Sequence, residues 1–403
     1  MRLAQLPPLS LYVHIPWCLR KCPYCDFNSH EKRGELPEGE YVDALVADLE
    51  ASLPKVWGRR VHTIFIGGGT PSLFTPAAIE RLLTAIRTRI PVDPEAEVTM
   101  EANPGTFEAA RFRGYRDAGV NRLSVGVQSF SDTKLAAIGR VHGADEARRA
   151  LESALGIFPT VNADLMYALP GQSLDEALAD VREAVAIGAP HVSAYHLTLE
   201  PDTHFHHYPP ELPDDDTAAD MQQAIEALLA ASGHEHYETS AFARPGHRAR
   251  HNLNYWTFGD YLGLGAGAHG KLSFQDRITR EMRIRKPAGY MKAALAGDAI
   301  DESHVVDESE LPFEFMLNAL RLIEGFPVSL FAQRTGLPIT AVAAELDRVE
   351  AAGLLVRDHQ HIRPTQKGQR FLNDLLEPFL PGHAVARPAR TISISPRDTA
   401  RPT

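Results

Sequence analysis

Cysteine is almost missing from this chain: Cys18, Cys22 and Cys25 are the only three, and none follows from position 26 to position 403. A distributed disulfide framework is therefore excluded, and a reducing, cytoplasmic setting is expected. Long apolar runs are missing too, so no segment reads as a membrane-spanning helix. The start, MRLAQLPPLSLYVHIPW, lacks a basic patch followed by an apolar signal core, and secretion is not expected. Positive charge is in deficit, with 41 Lys and Arg against 52 Asp and Glu, a net -11. Binding a nucleic-acid backbone needs a concentrated basic surface, so the expected partner is a small ligand or another protein.

What is present is alternation. Six stretches rich in β-branched and apolar residues read as strands: 9–16, 61–68, 97–104, 122–129, 160–170 and 191–200. Between them lie segments such as YVDALVADLEASL and LDEALADVREAVAIG, with apolar residues at helical spacing and, at Ser173 and Glu176, a capping-box signature. Strand and helix alternating in this way predict an α/β fold, an open parallel sheet or a complete or partial barrel of the (β/α)6 TIM-like kind. Function in such folds gathers at the strands' C-terminal ends, where Cys18, Gly67 to Gly69, Glu101 and Gln128 fall.

The chain divides into a barrel over 1–235, a linker or lid over 236–310, a small C-terminal unit over 311–380 and a disordered tail over 381–403. The C-terminal pattern of helices and a short hairpin resembles a winged helix. DNA binding is nevertheless rejected, because the would-be recognition helix carries Glu345, Asp347 and Glu350 against Arg348.

The three cysteines can supply three thiolates. A 4Fe-4S cluster usually takes four, so one iron would stay open for a substrate. Arg20 and Lys21 would partly offset the anionic cluster. By spacing alone, a Cys3His zinc site with His14 or His30 remains an alternative, as do three unrelated thiols. The GGGTP run after the second strand, Gly67 to Pro71, lets backbone approach a ligand or merely makes a turn. Glu101 lies in a strand suited to burial, and a buried carboxylate needs a cation or several donors. A cationic ligand and a core salt bridge both satisfy it.

YVHIPWCLRKCPYC is similar to the C-x3-C-x2-C loop of the radical S-adenosylmethionine (SAM) superfamily, whose fold is a partial barrel and whose cluster binds SAM through the open iron. Tyr12-x-His14-Ile15-Pro16, Gly67-Gly68-Gly69-Thr70-Pro71, Glu101-Ala102-Asn103-Pro104, Gly126-Val127-Gln128-Ser129 and Gly139-Arg140-x-His142 resemble the oxygen-independent coproporphyrinogen III oxidase group over nearly the whole chain. The resemblance implies Cys18, Cys22 and Cys25 as cluster ligands. It also implies cofactor contacts from Tyr12, Tyr24, Gly68, Gly69, Thr70, Glu101, Gln128, Arg140 and Asp164, with Tyr24 packing on adenine.

Members of that group that decarboxylate coproporphyrinogen carry a further cysteine where this chain has Phe27. HNLNYW, His251 to Trp256, resembles a motif of the haem-chaperone branch. The resemblance therefore implies haem as cargo, His251 as an axial ligand and Tyr255 and Trp256 as stacking partners. It further implies client haem proteins, among them membrane-bound respiratory enzymes, met by a cytoplasmic chain that touches the membrane transiently and does not span it. His204, His206 and His207 form another candidate patch, and His269 on a Gly-rich turn could face the site. Two functions of different class result: a haem carrier, favoured by Phe27 and HNLNYW, and a radical enzyme acting on a porphyrinogen.

Overall fold

The computed structural model describes residues 2–105 and 108–382. From residue 383 onward, the expected tail lies outside the described residues. Six parallel strands run in sequence order across the sheet: β1 (Leu9–Ile15), β2 (Val61–Gly68), β3 (Val92–Ala102), β4 (Arg122–Gln128), β5 (Thr160–Tyr167) and β6 (His191–His196). Helices α1 (Glu38–Ser52), α2 (Pro76–Arg89), α3 (Glu108–Ala118), α4 (Ala144–Leu155) and α5 (Leu174–Ile187) cross between them. Ser173 does cap α5: its hydroxyl accepts from Glu176 N at 3.3 Å, and the Glu176 carboxylate accepts from Ser173 N at 2.8 Å.

Period-two alternation splits each strand between two environments. One row, including Val13, Ile66, Met100, Leu123 and Val161, is buried in the main core with Leu45, Leu83 and Leu151 of the helices. The other row is polar and in register across the sheet: Glu101 pairs with Ser124, Ser124 with Asn162, and Asp164 with Ser193. The helices cover the aliphatic row, so the polar row lines the interior of the curved sheet.

Residues 236–310, read from the sequence as a linker or lid, carry strands of this same sheet, which has 12 in all. After α6 (Asp215–Ala231), β7 (Glu235–Glu238) and β8 (Ala241–Ala243) add to the β6 edge. On the far edge β9 (Asp260–Leu264) pairs parallel with β1, and β10 (His269–Ser273), β11 (Ile278–Arg283) and β12 (Ile300–Val305) follow antiparallel. Between these additions, α7 (Arg250–Trp256) packs on β2, β3 and β9. Glu97 fixes its start, accepting from the backbone N–H of Arg250 and of His251 at 3.0 Å each.

The C-terminal unit has its own core around Phe315, Phe326, Phe331, Leu346 and Ile362. Helices α8 (Leu311–Ala319), α9 (Val328–Thr335) and α10 (Ala343–Ala351) surround a small sheet of Phe326–Pro327, Leu355–Arg357 and His361–Pro364, which is a winged-helix arrangement. Arg357 of the hairpin pairs with Asp347 and Glu350 on α10. Among the described residues, no helix is long and apolar enough to cross a membrane.

Candidate functional site

The cysteine loop leaves β1 and is stitched to the glycine run that leaves β2. Gly69 N donates to Ile15 O and Thr70 N to Trp17 O, both at 2.7 Å. A Cβ on Gly69 would lie 2.6 Å from the Trp17 carbonyl, and Gly68 has φ +113 with its Cβ position filled by the His14 ring. These two glycines are required for the loops to approach each other.

From that seam a polar chain leads to the thiols. Thr70 hydrogen-bonds the Cys18 thiol, and Asn103 Nδ2 donates to Thr70 Oγ1 at 2.9 Å. Arg140 Nη2 donates to Asn103 Oδ1 at 2.7 Å and to Gly126 O at 2.9 Å, while its Nη1 points to Cys22 Sγ at 3.6 Å. Four motifs far apart in sequence thus meet around the cysteines. Gly139, at φ +70, has its Cβ position filled by Pro23, and this packs the Arg140 turn against the cysteine loop. Burial pushes the Cys18 and Cys25 thiols up, so a metal centre would be needed to hold them as thiolates.

All three cysteines line one cavity of about 450 Å³. Tyr24, Gly68, Gly69, Thr70, Glu101, Gln128, Arg140 and Asp164 share its wall. Gln128 holds φ 66, the left-handed region seldom adopted by a side-chain-bearing residue, at the end of β4. Among the described residues, no three or more His, Cys, Asp or Glu side chains gather closely enough to hold one metal ion. His14 is also spent, since Tyr12 OH meets its Nδ1 and Asn28 O its Nε2, each at 2.9 Å. His30 lies outside the cavity wall. Of the two histidines, His14 is thereby unavailable as a fourth zinc ligand.

Glu101 forms no salt bridge among the described residues; its donor is Gly68 N at 3.0 Å. Burial, with the Asp164 charge adding to it, raises this carboxyl to about 8. Asp164 is also pushed up by burial, although Ser124 Oγ at 2.8 Å and Asn162 Nδ2 at 2.7 Å donate to it. Two carboxyl groups facing one cavity without a matched cation suit a cationic ligand, and SAM carries a sulfonium and an ammonium.

A second cavity, about 720 Å³, adjoins the first and shares Asp26, Phe27, Gly68 and Glu101 with it. Tyr12, expected at the cofactor, lines this one, together with Tyr255, Trp256, Tyr261, His269 and Arg285. Phe27 is 58% exposed between the two.

His251 corrects an expectation. Its ring is enclosed, with Nδ1 2.8 Å from Thr63 Oγ1 and Nε2 3.0 Å from Tyr255 OH, and Phe65 packs at 5.1 Å between centroids. Neither nitrogen is free for iron, and the residue lines neither cavity. Its place is to orient Tyr255. Asn254 of the same motif ties α7 to Ser10 Oγ at 2.8 Å and to Asp260 O at 2.9 Å. His204, His206 and His207 are exposed on a short helix whose Phe205 packs near Tyr24.

Sequence reasoning passed over Asn103, Ser124, Met166, Tyr195 and Leu197 as members of the first cavity wall. Strict alternation from Asp164 and Ser193 would have found Met166 and Tyr195.

Residues 12–184 match the family model of the radical SAM superfamily, and residues 306–371 that of the HemN C-terminal domain. The chain is 50% identical over 380 residues to the heme chaperone HemW of Escherichia coli, covering 94% of this chain and 100% of that protein. HemW of Haemophilus influenzae is 47% identical, at 93% and 99% coverage. The mouse mitochondrial radical S-adenosyl methionine domain-containing protein 1 is 36% identical, at 92% and 87%. In fold, coproporphyrinogen III oxidase (HemN) from Escherichia coli matches with a TM-score of 0.79 at 24% identity, over 93% of this chain and 90% of that one.

Proposed function

The chain belongs to the HemW family within the radical SAM superfamily, and on that basis we propose that it binds haem and hands it to client haem proteins. A 4Fe-4S cluster and SAM, which the superfamily implies, reside in the cysteine-lined cavity on this reading. The observation that carries it is adjacency: a cofactor cavity and a larger aromatic one meet at Gly68, Glu101 and Phe27.

When bound, the cluster supplies an electron and SAM a cleavable sulfonium bond. The chain's own residues do the rest. Cys18, Cys22 and Cys25 would hold the cluster, Arg140 sets positive charge beside Cys22, and Glu101 and Asp164 would meet the cationic end of SAM. Phe27 puts a ring where the decarboxylating group has a thiol, so the chain is read as a carrier and not as a porphyrinogen decarboxylase. Clients include membrane-bound respiratory haem proteins, reached from the cytoplasm by transient contact.

Anaerobic reconstitution tests the reading: about four irons per chain are expected, and haem titration should then show saturable binding. Protein that binds no haem overturns it. Decarboxylation of coproporphyrinogen III by the reconstituted protein overturns a carrier role as the sole function.

A further inference from the structure

The second cavity has chemistry that the haem motif does not account for. Residues paired across an antiparallel ladder present their side chains on one face, and so do residues two apart on a strand. His269 pairs with Met282, and Lys271 with both Arg280 and Tyr261, which places His269, Lys271 and Tyr261 on the same inner face as Tyr12. Most cations there are already matched. Lys271 meets Asp260 at 3.0 Å, and Arg280 meets Glu314 at 2.8 Å.

Three groups are not matched. The His269 ring is exposed to the cavity and makes no hydrogen bond among the described residues, unlike His251. The Arg285 guanidinium has no carboxylate partner among them. The Trp256 indole N–H is likewise enclosed without an acceptor, beside the cavity. An imidazole, a spare guanidinium and a wall of Tyr255, Trp256 and Tyr261 match an iron porphyrin with its metal, its carboxylates and its flat faces. The volume of about 720 Å³ lies inside the range of ligand pockets, roughly 300–1,000 Å³.

Resting on the haem-carrier reading above, we infer that the cargo seats in this second cavity, with His269 as the iron ligand in place of His251 and Arg285 meeting a propionate. Ligation is a dative bond from a neutral ring nitrogen to iron; no electron is transferred. Burial, with Arg280 and Arg285 nearby, holds the His269 imidazole below its ordinary range, which favours that neutral form. His251 acts one step back by fixing the Tyr255 hydroxyl that borders the same space.

The test is titration of the anaerobically reconstituted full chain with ferric haem, and separately with iron-free protoporphyrin IX, followed by absorbance. His269→Ala should weaken haem binding at least about tenfold, shift the Soret band, and leave protoporphyrin binding unchanged; added imidazole should restore the wild-type spectrum. Arg285→Ala should weaken both ligands. His251→Ala should keep the wild-type Soret position. His269→Ala with unchanged affinity and spectrum overturns the assignment, as does loss of the Soret position in His251→Ala alone. Wild-type protein that binds no haem sinks the carrier reading itself, a distinct result.

Discussion

His251 Nε2 lies 3.0 Å from the Tyr255 hydroxyl, one helical turn away on α7, while its Nδ1 meets Thr63 Oγ1 at 2.8 Å. The imidazole bridges the barrel wall and the helix packed against it. Replacing it with Ala strips the Tyr255 hydroxyl of its partner, leaves Thr63 with Ser10 alone and opens a void, so a loss of about 2–4 kcal/mol is expected in urea unfolding. The ring is held down to about 3, chiefly by burial and then by the Arg122 charge. Above the ordinary value of 6.5 both folded and unfolded forms are neutral. As pH falls from there toward 3, only the unfolded chain takes the proton, so stability drops across that window. His251→Gln should lose part of this slope. An unaltered slope would count against the buried neutral imidazole.

Arg140 is the hub joining the cysteine loop to two other strand ends. Removing it frees Asn103 and uncovers Cys22. Arg140→Ala is expected to reconstitute with fewer irons and to shift the reduction potential of the cluster that remains, because a positive charge next to a cluster ligand favours the more anionic, reduced state. Arg140→Lys keeps the charge and loses the planar fork, so its iron content should be intermediate. Iron and sulfide analysis with a potentiometric EPR titration checks both. Wild-type values in Arg140→Ala would show the contact to be incidental.

Much of this architecture is legible in the sequence because period-two strands keep their pattern on both faces. LSLYVHI and TVNADLMY each set aliphatic residues toward the helices and polar ones toward the interior, and the chemistry-bearing residues fall where strands end. The cysteine triad, Glu101, Gln128, Arg140 and Asp164, which stand at such positions, accordingly come together on one cavity wall. The strands after residue 235 were missed for physical reasons. DYLGL, HGKLS and ITREMR are short and carry charges inward, where burial is made tolerable by partners remote in sequence, as Asp260 is by Arg59 and Lys271. His251 was misread for the same cause. Its partner Thr63 is 188 residues away, and composition alone gives a histidine near aromatics no sign of being satisfied.

Asp260 ties the start of β9 to the end of β10. Its carboxylate accepts from Lys271 Nζ at 3.0 Å, Arg59 Nη1 at 2.8 Å and Ser273 Oγ at 2.7 Å, and it is fully buried. Burial alone would raise it, yet Lys271 and Arg59 hold it below the usual carboxylate range. Asp260→Asn keeps the shape but leaves two buried cations facing an amide. Breaking such a pair costs about 3–5 kcal/mol, so a clearly lower urea midpoint is expected. Asp260→Asn combined with Lys271→Met should recover part of the loss; no recovery would mean that the charge balance is not what joins the two strands there.

The raised Glu101 carboxyl predicts a proton-linked affinity for cations in the cysteine-lined cavity. With its carboxyl raised to about 8 by burial and by Asp164, the ligand-free site is largely protonated at neutral pH. A sulfonium ligand favours the ionised form, so binding SAM must expel the proton. The apparent dissociation constant should therefore fall as pH rises toward 8, by at most about tenfold per unit for one proton, and level off above that. Glu101→Gln removes the group that titrates: its affinity should be weaker at pH 8 and nearly flat below it. Asp164→Asn should leave a dependence but move its midpoint down, because the neighbouring charge that helps hold Glu101 up is gone. Equilibrium dialysis of SAM against the reconstituted protein from pH 6 to 9 separates these curves. A flat wild-type profile would mean that the sulfonium does not sit against Glu101.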